Sequence, residues 1–131
     1  MTQRFLTGAL LICFAAILPA SAQSPNATPM AGWACRMLNL TEAQSMDFNI
    51  HVPVRAEPTE TSPPVGFASA TIAVRTPLKS VNGFVEAMFP TGRPVWIAAD
   101  MIKPWHAAAN PSATCVPVMK ANGKPGFTYP Q

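Results

Sequence analysis

Turn signals recur at short intervals between Val52 and Trp105, and they limit how long any regular element in this stretch can be. A polar, proline-bearing run, AEPTETSPP, follows Arg55, and the pairs Asn82-Gly83 and Thr91-Gly92 each mark a reversal of the chain. The intervals between these signals suit strands of about five residues better than helices of about ten or more. The spacing therefore predicts an all-β fold, a small barrel or sandwich of about five short strands.

Alternation of apolar and polar residues supports these strands, because successive side chains of a strand point to opposite faces. Val52 and Val54, Ile72 and Val74, and Val85 and Ala87 form three such pairs. Met46, Phe48 and Ile50 alternate in the same way, which predicts a further half-buried strand. Thr41 and Gln44 are spaced as the two partners of a capping box, which predicts a single helical turn before that strand.

The first 22 residues have the features of a signal peptide. Arg4 precedes a short apolar run from Phe5 to Leu18, and small residues stand at Ala20 and Ala22, the two positions that signal peptidase reads. A retained membrane anchor is the alternative, but this run is shorter than the roughly 20 residues that a spanning helix needs. Cleavage after Ala22 removes 22 of 131 residues, and the remaining 109 suit one domain.

The mature chain divides into four segments by composition. Residues 23–32 are small, polar and proline-bearing, which predicts a flexible leader. Residues 33–50 form an N-terminal extension, 51–105 the barrel and 106–131 a C-terminal extension. Asn122-Gly123 predicts a hairpin in the last segment. An irregular tail is the alternative, because three prolines interrupt residues 116–131: Pro117, Pro125 and Pro130.

Two of the three cysteines remain after removal of the signal peptide, which contains Cys13. An even pair in an exported chain is typical of a disulfide, so we predict a bond between Cys35 and Cys115 that ties the two extensions together. In the chain-entropy model a loop of this length contributes on the order of 4 kcal/mol. The competing interpretation is a free nucleophilic cysteine that works with His51 or His106.

The composition excludes several classes of function. The net charge of +3 comes without a run of basic residues, so no nucleic-acid partner is expected, and no stable membrane insertion is expected after signal cleavage. The sequence contains neither a Gly-x-Ser-x-Gly elbow nor a glycine-rich phosphate loop. The histidines and cysteines lack the spacing of a metal site, so we expect no metal and no cofactor. The six carboxylates are scattered, so a hydrolase is the weakest of the alternatives, and we expect a protein that is not an enzyme.

A set of short motifs occurs in the order and spacing of one known domain type. These motifs are Val54-Arg55 with the polar loop after it, Val65-Gly66, Asn82-Gly83-Phe84-Val85, Gly92-Arg93, Trp96-Ile97 and Asp100-Met101-Ile102. Together they resemble the bacterial Src-homology-3 (SH3b) domain. The resemblance implies a five-stranded SH3-like barrel in an exported protein, used for targeting or binding and often attached to cell-wall enzymes.

The chain departs from the SH3b pattern at three positions. Val95 stands where a glycine usually precedes the tryptophan, Phe84 replaces the usual tryptophan after the turn glycine, and Glu57 stands where a small residue is common. No peptidase or amidase segment accompanies the barrel. These departures weaken the transfer of any specific ligand from the family to this chain.

Aromatic and charged residues of the barrel segment are the candidate ligand-binding residues. Phe67, Phe84 and Trp96 offer stiff contact area for a peptide or glycan, and Phe84 and Trp96 are expected to be exposed. The alternative is that these aromatic side chains, with that of Trp105, close the ends of the barrel. Charged side chains of the turns are candidates for contact with a ligand carboxylate or amine, or else only solvate their loops: Arg55, Glu57, Glu60 and Arg93.

These observations predict a periplasmic or secreted, non-catalytic binding module of the cell envelope. Its expected partner is cell-wall peptide or an extended segment of an envelope protein, docked beside the loop Ala56 to Pro64. The alternative function is a structural subunit or inhibitor of an envelope complex that acts through the disulfide-linked extensions.

Overall fold

The computed structural model describes residues 27–130, and these residues form two β-sheets with very little helix. The strands are β1 Ala27–Pro29, β2 Trp33–Leu38, β3 Pro53–Arg55, β4 Pro64–Phe67, β5 Thr71–Arg75, β6 Phe84–Met88, β7 Pro94–Ala98, β8 Ile102–Pro104, β9 Val116–Lys120 and β10 Pro125–Thr128. Helical structure in this part of the chain consists of α1 Glu42–Ser45 and a 3₁₀ turn at Ala99–Met101. The all-β prediction is confirmed.

Seven of the strands form one antiparallel sheet in the order β4-β3-β7-β6-β5-β2-β8. The other three form a small antiparallel sheet in the order β1-β9-β10. Across residues 27–130 the strands make sheets and not a closed barrel. Strands β4 and β8 are therefore the two edges of the seven-stranded sheet.

The core lies against one face of the seven-stranded sheet. Val74 pairs with Ala87, and Ala87 pairs with Val95, so one row of small and branched side chains crosses three strands. All the buried members of the core are aliphatic: Val52, Val54, Ile72, Val74, Val85, Ala87, Val95 and Ile97. Both residues of each apolar pair predicted for β3, β5 and β6 are buried, and Ala73 and Phe84 on the opposite face are buried as well. Each fully buried aliphatic side chain of this size contributes roughly 1.5–3 kcal/mol.

The Asn82-Gly83 turn forms immediately before β6. Both residues adopt a positive φ, 51° for Asn82 and 81° for Gly83, which asparagine and glycine tolerate best. The turn is closed by two backbone hydrogen bonds between Val81 and Phe84, of 2.7 and 2.9 Å. On its N-terminal side the ladder is limited to a single bridge at Val81, because the chain arrives through a loop and not along a strand.

The predicted C-terminal hairpin is confirmed as β9 and β10. The backbone N–H of Gly123 donates to the carbonyl of Lys120, and the N–H of Lys124 donates to the side-chain oxygen of Asn122. Pro125 fits because β10 is an edge strand, and Pro117 fits because it lies near the start of β9, outside the β1–β9 pairs. The hairpin supplies the strand that β1 joins.

The strand predicted over residues 46–50 is wrong. Thr41 caps α1 with the expected capping box, but the chain then turns without entering a sheet. Met46 is 74% exposed and Phe48 is 93% exposed. Alternation alone does not make a strand, because a strand also needs an unpaired neighbour, and β2 just upstream already lies between β5 and β8.

The structure also differs from the predicted segment boundaries at the N-terminal side. Ala27–Pro29 lies in the predicted flexible leader, but in the structure it pairs with β9. This short polar stretch contains no sequence signal for such a pairing. Trp33–Leu38 was assigned to an extension outside the barrel and instead lies inside the large sheet. The predicted signal peptide, residues 1–22, and residues 23–26 of the predicted leader lie outside the described part of the chain.

The predicted disulfide is confirmed, with Cys35 and Cys115 bonded at 2.02 Å. Cys35 is buried in β2, and Cys115 directly precedes β9, so the bond connects the two sheets. A disulfide is typical of an oxidising compartment, which agrees with an exported protein. None of the helices in residues 27–130 is long and apolar enough to cross a membrane.

Candidate functional site

An open groove lies mainly on the face of the large sheet that points away from the core, which we call the outer face, and it reaches the core at Val52 and Met101. Its volume is about 350 Å³. The strands β3, β7 and β6 supply its floor, the loop 56–63 stands at one side and the 3₁₀ turn at the other. The lining residues are Val52, Pro53, Arg55, Glu60, Phe84, Ala98 and Met101.

Small side chains create the hollow. Phe84 pairs with Ala98, and the antiparallel register that joins Arg55 to Trp96 places Pro53 on the other side of Ala98. The methyl group of Ala98 therefore stands between a phenyl ring and a pyrrolidine ring. A longer side chain at this position would fill the groove.

Hydrogen bonds within the loop 56–63 hold it beside the groove. The guanidinium of Arg55 donates from Nη1 to the carbonyl of Ser62 at 2.6 Å. Ser62 is only 7% exposed, and its hydroxyl accepts from the N–H of Glu57 at 3.2 Å. At the loop's far side, the amide of Asn82 donates to the carbonyl of Pro58. The turn before β6 thus also supports the loop.

The carboxylates near the groove lack cationic partners. Across residues 27–130 the ion pair that forms is Arg75–Glu86, and it does not involve Glu57, Glu60 or the exposed Asp100 of the 3₁₀ turn. Arg55 is the one cation in the lining, and it already donates to a loop carbonyl. The groove therefore offers Glu60 to a ligand amine while Arg55 retains further N–H groups for a ligand carbonyl or carboxylate.

A row of aromatic and charged side chains crosses the outer face next to the groove. Arg55 pairs with Trp96, and Trp96 pairs with Glu86. Glu86 forms the ion pair with Arg75 at 3.1 Å, and the Arg75 guanidinium lies 4.3 Å from the ring centroid of Trp33. Trp96 is half-buried in this row, so it borders the groove and is partly available for contact.

The structure brings three of the seven candidate ligand-binding residues into the groove; Glu60 is one of them, and Arg93 is not. Arg55 and Phe84 line it, and Trp96 stands one row away. Glu57 is exposed on the loop, where its backbone N–H holds Ser62 while its side chain is not part of the lining. Phe67 lies elsewhere, on the edge strand β4.

The expectation that Phe84 is exposed is wrong, because it is only 7% exposed. Its position on the outer face was predicted correctly from the alternation of β6, but the loop and the 3₁₀ turn cover that face at this end of the strand. Phe84 is therefore a floor residue. Trp105 does not close the sheet here either, since its ring stacks on Tyr129 of the C-terminal segment at 5.6 Å.

Three groove residues carried no signal in the sequence. Pro53 and Ala98 are common residue types without chemistry of their own, and Met101 was marked only as part of the Asp100-Met101-Ile102 motif. The position of Ala98 on the outer face could have been inferred from the sequence, because Trp96 lies two residues earlier and the two side chains share a face. Among residues 27–130 no three metal-ligating side chains come together, and the expected lack of a metal or cofactor stays a prediction.

Comparison of the chain with protein-family profiles, with curated proteins and with solved structures gives no match.

Proposed function

We propose that this protein is an exported, non-catalytic binding module of the cell envelope that holds an extended peptide in the outer-face groove. The observation that carries the proposal is the groove itself, in which an apolar floor, one carboxylate and one guanidinium converge. Such a mixture of apolar surface with a few placed polar groups is typical of ligand sites. The peptide belongs either to the cell wall or to a partner protein.

The chemistry of the lining favours a peptide with small side chains and a free amine. Ala98 leaves room for a methyl-sized group over Phe84, and Glu60 is available to an ammonium group. Cell-wall peptides combine these features, since they contain alanine, a diamino acid and free carboxylates. Arg55 is placed to meet a carboxylate or a carbonyl of the same ligand.

As part of the proposal, the segment from β3 to β8 is an SH3-like unit. Its support is the position of the motifs: the polar loop joins β3 to β4, the Asn82-Gly83 turn leads into β6, Gly92 lies in the β6–β7 turn, and Trp96 lies on β7. Export is supported by the disulfide and by the signal-peptide pattern of residues 1–22.

Isothermal titration with a synthetic wall tetrapeptide that carries a free ε-amine tests the function. We expect saturable binding by the wild type, loss of binding in Ala98→Leu, and about a tenfold weaker affinity in Glu60→Gln, the loss of one charge-assisted hydrogen bond. Ala108→Leu, at an exposed position outside the groove, is the matched control. Equal affinity in the wild type and Ala98→Leu would remove the groove from the proposal, and turnover of the peptide would contradict a non-catalytic role.

The alternative function, a structural subunit or inhibitor that acts through the disulfide-linked segments, has one observation in its favour. The small sheet carries an open hollow of about 430 Å³ lined mainly by apolar surface, with Ala27, Val118 and Phe127 among its residues. Truncation after Cys115 would remove β9 and β10. Under this alternative, the truncated protein loses its envelope partner in co-purification while the large sheet stays folded.

A further inference from the structure

A small pocket adjoins the aliphatic core near the edge strand β8, and we call it the β8 pocket. Its volume is about 130 Å³. The loop after β5, strand β6, the 3₁₀ turn and β8 supply its aliphatic lining residues, which are Leu78, Val85, Ala99 and Ile102. Val85 belongs to the buried core, and Ala99 and Ile102 pack against that core. The pocket is therefore a gap beside the core that opens to solvent.

Arg36 places a guanidinium at this pocket. On β2 it pairs with Ile72 of β5 and with Pro104 of β8. Side chains of residues that lie directly opposite each other in an antiparallel ladder share one face of the sheet. Arg36 therefore stands on the face that carries the buried Ile72, and it is half-buried there. A charged side chain is thus held on the apolar side of the sheet.

The side chain of Arg36 has no partner within residues 27–130, where it forms no hydrogen bond, ion pair or ring contact. The two other arginines in strands of the large sheet are engaged. Arg55 donates to the carbonyl of Ser62, and Arg75 pairs with Glu86. A guanidinium has five N–H donors in one plane, and this geometry matches a carboxylate. Arg36 retains all of these donors for a ligand.

The charges around the pocket favour an anion. Lys103 is a lining residue and Lys79 lies in the loop after β5, and neither forms an ion pair in the described part of the chain. Two carboxylates adjoin the lining in sequence. Glu86 is already paired with Arg75, and the exposed Asp100 forms no ion pair with a cation of residues 27–130. The guanidinium of Arg36 therefore has no counter-ion from the fold itself.

The aliphatic lining determines what kind of molecule carries the anion. Leu78 is 51% exposed, so a ligand that covers it gains from the burial of apolar surface. An apolar cavity of about 150 Å³ accommodates a group of the size of benzene. The β8 pocket, at about 130 Å³, is therefore large enough for a branched aliphatic group of about four to six carbons.

We propose that the β8 pocket binds a carboxylate that is attached to a branched aliphatic group. The carboxylate accepts hydrogen bonds from the guanidinium of Arg36, and the aliphatic group packs on Leu78, Val85 and Ile102. A free branched-chain acid and the C-terminal residue of a peptide share this chemistry. The pocket has no lining residue in common with the outer-face groove, so this inference does not rest on the proposed function.

An NMR titration of the isotope-labelled, oxidised protein tests the pocket and distinguishes the two sources. The probes are 4-methylpentanoate for the free acid and N-acetylleucine for the peptide C-terminus, each up to about 30 mM at constant ionic strength. We expect saturable shifts at the backbone amides of Val85, Ala99 and Ile102, with dissociation constants on the order of 1–10 mM. The probe that binds more tightly identifies the source. The absence of saturable shifts at these amides with both probes overturns the proposal.

Matched ligands separate the two parts of the recognition. The neutral carboxamide analogue of each probe should bind about tenfold more weakly, because it lacks the charge-assisted hydrogen bond. Acetate, which lacks the branched group, should also bind at least about tenfold more weakly. Equal affinity for an acid and its carboxamide would contradict a role for the guanidinium. Equal affinity for acetate or inorganic phosphate would show that the aliphatic lining plays no part.

The variant Arg36→Gln tests the residue itself. Because its side chain makes no contact with another polar group in residues 27–130, we expect the variant to fold and to bind the acids about tenfold more weakly. Its affinity for the carboxamide analogues should stay within about twofold of the wild type, which confirms that the pocket is intact. Arg93→Gln, at an exposed position outside the pocket, is the matched control. An equal loss of acid binding in both variants would assign the effect to net charge and overturn the proposal.

Discussion

The two edges of the seven-stranded sheet differ in how they are attached and how they are protected. β8 pairs with β2, and β2 is bonded through Cys35 to the small sheet, so a covalent link lies one strand from this edge. β4 pairs only with β3, and its interior contact is the close approach of Gly66 to the ring of Phe89. β8 carries a lysine, whereas β4 carries no charge.

The difference shows that the two edges of one sheet can differ in charge and in how they are held to the rest of the molecule. Each edge strand contains a proline, Pro104 on β8 and Pro64 on β4, and only β8 adds a lysine. Stability is distributed in the same uneven way, by a crosslink near one edge and by packing against glycine at the other. The variants below alter one edge at a time, in order of decreasing expected effect.

Removal of the disulfide should have the largest effect. The double variant Cys35→Ala/Cys115→Ala is expected to lose about 2–5 kcal/mol of unfolding free energy, because the bond closes a loop with a sequence separation of 80. Urea denaturation monitored by circular dichroism measures this loss. The control is reduction of the wild type, which should give the same change. A loss below about 1 kcal/mol would mean that the stability of the β8 side of the sheet does not depend on the disulfide.

Substitution of Gly66 tests the packing at the other edge. A Cβ at this position would stand 2.5 Å from the ring of Phe89, so Gly66→Ala forces the ring to move and should cost about 1–3 kcal/mol. Gly126→Ala is the matched control, because there the new Cβ meets only the flexible side chain of Lys120 at 3.2 Å. Equal midpoints of thermal unfolding for the two variants would contradict this account of the β4 edge.

Loss of the Ser62 hydroxyl should have a moderate effect. Ser62→Ala leaves the N–H of Glu57 without its acceptor in a partly buried loop, which is expected to cost about 1 kcal/mol. Because this loop connects β3 to β4, hydrogen exchange should accelerate at β4 and remain unchanged at β8. Ser69→Ala, at an exposed position after β4, is the control. Acceleration at both edges alike would show that they do not open independently.

The ion pair Arg75–Glu86, on strands that lie between the two edges, should have the smallest effect on the unfolding free energy. Arg75 and Glu86 have side chains that are 47% and 26% exposed, so screening by solvent limits the pair to less than about 1 kcal/mol. Glu86→Gln should therefore lower the unfolding free energy slightly at low salt and not at 1 M NaCl. Glu60→Gln, which removes a carboxylate without an ion pair in residues 27–130, is the control. A salt-independent loss would point to packing against Trp96 instead.

The sequence was sufficient for elements whose cause is local. Thr41 and Gln44 form the capping box, Asn82-Gly83 and Asn122-Gly123 turn the chain, and the aliphatic alternation of β5 and β6 points into the core. Each depends on residues close together in the chain. The disulfide was also predictable, because only two cysteines lie outside the predicted signal peptide.

The candidate site was only partly predictable, because the tertiary structure decides which side chains other segments cover. Arg55 and Phe84 lie in the groove as expected, but the burial of Phe84 depends on a loop and a 3₁₀ turn that are distant in sequence. Phe67 belongs to an edge strand, and sequence does not state which strands are outermost. The same ambiguity led to the wrong strand at residues 46–50.

The sequence by itself determined the all-β class, the turns and the crosslink, because backbone dihedral preferences and side-chain periodicity act over a few residues. Only the tertiary structure decided that β1 joins β9, that β2 lies inside the large sheet, and that β4 is left at its edge. Strand order depends on competition among all strands for hydrogen-bonding partners across the whole chain. That competition also decides which aromatic side chains are buried in the floor of a groove and which remain exposed at an edge.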